Sequence, residues 1–150
     1  MPISIIPVGP IDPTVLNNLQ ADLPLILQKP IRLEAGLDEP AYAYHPGRRQ
    51  FRSTAILQDL LERPELRHYE RILGLVDHDL FVPELNFVFG EASSRAAVMA
   101  LPRLRETFYG RPGDSGLFRR RVLTEAVHEL GHTFGLGHCR RPACVMFFSN

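Results

Sequence analysis

The chain has 150 residues, 45% of them hydrophobic and 23% charged, with 17 basic and 17 acidic side chains in balance. That length suits one domain with a real hydrophobic core, and the composition excludes disordered, collagen-like and fibrous chains. Zero net charge removes the broad positive field that non-specific nucleic-acid binders use, so no nucleic-acid partner is expected.

The N-terminal stretch has no charged region before its short apolar run, and nowhere do eighteen apolar residues follow one another. A cytoplasmic protein with no membrane partner is the expectation, and a monomer is the simplest assembly. The first predicted strand is the β-branched run ISIIPV, residues 3–8. Asp12 is placed to cap a helix entered through Pro13, a residue suited to the first turn. Residues 31–37, IRLEAGL, alternate apolar and polar side chains as a half-buried strand does. Ile56, Leu57, Leu60 and Leu61 fall at helical spacing within residues 53–63, and Pro64 closes that helix.

Three further apolar runs, at 71–77, 86–90 and 95–101, are separated by turn residues with no room for a helix between them. A loop over 109–116 leads into the last long helix, which is capped by Asp114 or Ser115, begins near Leu117 and ends at Gly135. Strands alternating with helices and then clustering predict an α/β (α+β) fold, a mixed sheet with helices packed on it, in one domain over 1–150.

That last helix carries the chemistry. At about 100° per residue, Leu123, Val127, Leu130 and Phe134 share a face directed at the sheet, while His128 and His132 sit on the other side only about 40° apart. Two imidazoles one turn apart can converge on one ion. Gly135 lets the chain turn back so that His138 approaches the same ion, which completes the string H-E-x-x-H-x-x-G-x-x-H over residues 128–138. Three neutral imidazoles leave the fourth tetrahedral position of a zinc ion for water, whose pKa falls to roughly 7. Glu129, displaced round the helix from its ligand neighbour, is placed to act on that water as general base.

On this string, and on HCRRPACVM at 138–146, the sequence resembles the metzincin metallopeptidases and, within them, the archaemetzincins. RRQFRSTAILQDL, LGLVDHDLFVP and NFVFGEA extend the likeness upstream over most of the chain. The resemblance implies a zinc metallopeptidase acting on a peptide or protein. It implies His128, His132 and His138 as zinc ligands, Glu129 as catalytic base, and Met146 as the methionine of the turn beneath the metal. It also implies a mostly parallel, five-stranded twisted sheet whose antiparallel edge strand, at 85–90, runs along the cleft where an extended peptide can pair.

In the archaemetzincins Cys139 and Cys144 would join a later C-x-x-C pair in a four-cysteine structural zinc site. This sequence stops at Asn150, so the expectation is a catalytic domain cut short at its C-terminus, with Cys139 and Cys144 as half of the second site. Reduced thiols or a disulfide are the other readings.

His45, His68 and His78 have no ligand spacing and read as surface or turn residues. Asp77 and Asp79 fit turn chemistry, with orientation of a ligand histidine as the alternative. The basic run FRRRV at 118–122 opposes the helix dipole and serves either solubility or an acidic substrate group. Two competing functions stand beside the peptidase: a three-histidine metal-dependent endoribonuclease, against which Glu129 and the cysteines argue, and a zinc-binding protein with little peptidase activity.

Overall fold

The computed structural model describes residues 2–147. Its centre is three parallel strands, β1 (Ile3–Pro7), β5 (Arg71–Val76) and β8 (Ala96–Ala100), almost wholly buried. Strands covered on both faces read as continuous apolar runs, and these three do. β2 (Ile31–Leu33) extends the sheet in parallel beside β1, and β7 (Gly90–Ala92) closes the other edge antiparallel to β8, in the order β2-β1-β5-β8-β7.

Alternation along the strands divides the core in two. Ile3, Ile5, Leu73, Leu75, Ala97 and Met99 face Val15, Leu19 and Leu23 of α1 (Pro13–Leu27) and Val122, Ala126 and Leu130 of α3 (Ser115–Thr133). Ile6, Ile72, Val76, Ala96 and Val98 face Ile56, Leu57 and Leu60 of α2 (Ser53–Glu62) on the opposite side. Asp12 caps α1 by accepting from the Thr14 amide at 2.9 Å, with Pro13 in the first turn as the sequence predicts.

Two strand boundaries differ from expectation. β2 stops at Leu33, and the ladder resumes only at an isolated Val8–Leu37 bridge, so the predicted run to residue 37 is shorter. The edge strand lies at Gly90–Ala92, C-terminal to the predicted 85–90. The apolar side chains at 87 and 89 are used otherwise: Phe87 lies under the Arg103 guanidinium at 3.8 Å and meets Phe89 edge-on, while Val88 bridges to Leu80.

A second sheet, unforeseen in the sequence, joins β3 (Tyr44–His45), β4 (Gln50–Arg52) and β6 (Leu80–Phe81). Among the described residues no helix is long and apolar enough to cross a membrane.

Candidate metal centre

The site grows from the end of α3. Asp114, one of the two predicted caps, accepts from the Leu117 amide at 2.9 Å, and the helix starts at Ser115, slightly before the expected Leu117. At the other end Leu136 N donates to Gly131 O and Gly135 N to His132 O, the paired bonds of a Schellman stop, with Gly135 at φ +91°. Glycine adopts that left-handed geometry without penalty, and the reversal sends residues 136–138 back beside the helix.

The apolar face of α3 packs on the sheet through Val122, Ala126 and Leu130. Phe134, expected on that face, is instead 38% exposed and lies beneath the Arg71 guanidinium at 4.3 Å, because the helix has ended and the chain is already turning. The polar face is not solvated as a surface helix would be. His128 is 9% and Glu129 5% exposed, under the cover of β7.

The three imidazoles converge. His132 Nε2 stands 3.2 Å from His128 Nε2 and 3.2 Å from His138 Nε2. His128 Nδ1 lies 2.7 Å from Val145 O and His132 Nδ1 2.7 Å from Leu136 O; a carbonyl only accepts, so both Nδ1 atoms carry hydrogen and both Nε2 atoms present lone pairs. Lone pairs facing each other at this distance repel unless a cation lies between them. Tetrahedral zinc ligands at roughly 2.0–2.1 Å from the ion stand about 3.3 Å apart, so spacing and tautomers both fit zinc. Burial holds His128 and His138 below the ordinary imidazole range, which favours the neutral, ligating form.

Glu129 opens into the same cleft of about 450 Å³, walled opposite by Val88, Phe89, Gly90 and Ala92. Burial, then its hydrogen bond with Glu125 and the nearby Glu125 and Glu91 carboxyls, push its pKa upward. Burial raises Glu125 likewise. A dication among the histidines acts on Glu129 in the opposite sense.

Met146 is buried against the helix backbone: a Cβ on Gly131 would come within 2.7 Å of its sulfur. Cys139 N donates to Met146 O at 2.8 Å, closing the 139–147 loop. Both cysteines are free thiols, and hydrogen bonding from the Arg141 backbone, then from Cys144, holds Cys139 below the ordinary thiol range. Among the described residues only the three histidines form a group of three or more side chains able to hold a metal ion.

Asp77 and Asp79 do not orient a ligand histidine; Arg105 and Arg103 take them in two-bond pairs. The backbone carbonyls of Val145 and Leu136 do that work, and no side-chain pattern in the sequence could reveal them. His78 pairs with Glu39 and stacks on Phe51, away from the cluster. Gly90 is a further residue that sequence reasoning missed, since a Cβ there would stand 2.6 Å from a Glu129 carboxyl oxygen.

The chain matches peptidase family M54 over residues 15–150. It is 39% identical to the archaemetzincin of Methanocaldococcus jannaschii, over 100% of this chain and 82% of that protein. It is 47% identical to the Thermococcus kodakarensis archaemetzincin over 72% of this chain and 59% of that one. The crystal structure of the Archaeoglobus fulgidus archaemetzincin complexed with malonate superposes with a TM-score of 0.85 at 36% identity, covering 100% of this chain and 87% of the other. The Methanopyrus kandleri archaemetzincin superposes at 0.83 with 34% identity, covering 99% and 81%.

Proposed function

The chain belongs to peptidase family M54, the archaemetzincins, which makes it a zinc metallopeptidase, and on that premise we propose that His128, His132 and His138 hold the catalytic zinc while Glu129 is its general base. The observation that carries the assignment is the convergence of three imidazole nitrogens in the cleft that also receives Glu129. When bound, zinc supplies a Lewis acid that acidifies a water molecule and polarises the scissile carbonyl.

The residues of the chain do the rest. Val145 and Leu136 fix the ring tautomers, so His128 and His132 present lone pairs before any ion arrives. Glu129, buried and basic, takes the proton of the attacking water at a carboxylate oxygen and delivers it to the leaving amide nitrogen. β7 exposes the free side of its ladder along the cleft, where an extended peptide or protein substrate can pair by backbone hydrogen bonds. Met146 provides a polarizable floor and is not a ligand.

Cys139 and Cys144, both free thiols, supply two ligands of a second, structural zinc ion in this reading. The protein acts as a monomer in the cytoplasm. The archaemetzincin relatives do not favour the endoribonuclease alternative, and Glu129, buried in the cleft, is the residue that such a site would not need.

The test is metal content and peptide hydrolysis on wild type, Glu129→Gln and His138→Ala. Glu129→Gln keeps its zinc and loses about a hundredfold or more in kcat, the usual worth of a general base. His138→Ala loses zinc as well as activity. A Glu129→Gln protein as active as wild type, or a His138→Ala protein that retains its zinc and its rate, would sink the assignment.

A further inference from the structure

The cleft does not end at the histidines. A second groove of about 570 Å³ continues it past His128, sharing Phe89, Glu125 and Phe147 as common walls. Its chemistry differs. Arg103, Arg111 and Arg121 line it, and Glu125 is the carboxyl residue among its walls.

The arginines are unequally neutralised. Arg103 spends two N–H groups on Asp79 and lies over the Phe87 and Phe108 rings at 3.8 and 4.8 Å, so it is a fixed part of the wall. Arg111 and Arg121 share a single carboxylate: Glu106 accepts from Arg111 Nη1 and from Arg121 Nη2, each at 2.8 Å. Two guanidinium groups on one carboxylate leave a positive charge in excess. Arg111 is 61% exposed along its side chain and gives one N–H to Glu106, whereas a guanidinium has five donors. The basic run at 118–122, which opposes the helix dipole and is not used by the hydrolytic machinery, supplies Arg121 to this groove.

We propose that this groove is a carboxylate-binding subsite and that the enzyme selects peptides presenting a carboxylate, on an aspartate or glutamate side chain or at a free C-terminus, to Arg111 and Arg121 beside the scissile bond. The proposal rests on the peptidase reading of the histidine cluster. A carboxylate matches the single surplus charge of the Arg111–Glu106–Arg121 cluster, whereas a phosphorylated residue of nearly two negative charges would overfill it. Guanidinium pairs recognise carboxylates with shape as well as charge, and the walls of Phe89, Tyr109 and Phe147 limit the water that would screen the pair.

The experiment uses zinc-loaded full chain and a set of eight-residue fluorogenic peptides. One series is amidated, with a single glutamate scanned through a glutamine host; one peptide keeps glutamine throughout but has a free C-terminal carboxylate. Both kcat/KM and, on the Glu129→Gln protein, Kd by anisotropy are read for each peptide against the amidated all-glutamine reference.

The expected result is a preference of about tenfold for a carboxylate at one position, the worth of one charge-assisted hydrogen-bonded pair, diminishing with salt. The preference falls to near one in Arg111→Gln, made at an exposed position, and in the Arg111→Gln, Arg121→Gln double variant. It persists in Arg32→Gln, an exposed arginine on the opposite edge of the sheet. Preference for the glutamate series identifies a side-chain carboxylate, and preference for the free C-terminus identifies the terminal one; either supports the subsite. Hydrolysis with no carboxylate preference overturns it, as does a preference untouched by Arg111→Gln. Tighter carboxylate binding without hydrolysis of any peptide leaves the subsite standing and overturns the peptidase assignment; equal binding of all peptides overturns the subsite whether or not they are cut.

Discussion

Two missing side chains govern the site as firmly as the histidines do. A Cβ on Gly90 would come within 2.5 Å of Val98 O and 2.6 Å of Glu129 Oε2, and one on Gly131 within 2.7 Å of the Met146 sulfur. Neither neighbour at Gly90 can retreat cheaply, since one is ladder backbone and the other a buried carboxyl. Gly90→Ala therefore displaces Glu129 while leaving the three imidazoles in place. Its zinc stoichiometry by elemental analysis stays that of wild type, and kcat falls about a hundredfold, as small misplacements of a reacting group do. An unchanged kcat would show that Glu129 has room to spare. Histidine spacing made the imidazole cluster and Glu129 legible in the sequence, because a helix converts i and i+4 into proximity. Gly90 and the Val145 carbonyl were not legible: each meets α3 from another element, and nothing in local spacing encodes such a meeting.

At the scale of elements, long periodic segments were readable and short ones were not. The buried parallel strands and the three helices announced themselves through apolar runs, helical spacing and caps. β3 and β6 have two residues each, too few to establish a period, and NFVFG at 86–90 imitates a strand while its rings cover Arg103 and each other. Contacts between helices were also hidden. Asp22 on α1 accepts from Arg119 Nε at 2.9 Å and Nη2 at 2.8 Å on α3, and the Arg119 hydrogen bond holds its pKa below the ordinary value. A folded pKa below the unfolded one means that the pair stabilises the protein above the ordinary carboxylate pKa and ceases to do so as pH falls through the lowered folded value. Asp22→Asn should lower Tm by about 2 °C at pH 7, in keeping with an exposed pair, and leave it unchanged in acid below that range. Equal losses at both pH values would mean that packing, not charge, joins the helices at this point.

For the whole molecule, the question is how far the fold depends on its metal. The two apolar layers lie on either side of the sheet and between them engage all three helices. Among the described residues, the hydrogen bonds of the histidine cluster join the end of α3 to the segment beyond it, through the Leu136 and Val145 carbonyls, and the Cys139–Met146 bond closes that segment. A zinc ion held by these histidines would therefore be a local clasp on a core that folds without it, unlike small domains whose folding is metal binding. Removing zinc with a chelator should leave far-UV circular dichroism at 25 °C essentially intact. Tm should then drop by about 5–10 °C relative to protein at a free zinc concentration roughly a hundred times Kd, which is worth about 2.7 kcal/mol. Hydrogen exchange should rise after chelation in residues 134–147 and stay constant in β1, β5 and β8, because the clasp holds the first and only the apolar layers hold the second. Loss of the far-UV signal on chelation, or exchange spreading into the central strands, would show that the sheet needs the metal and that the two layers do not suffice.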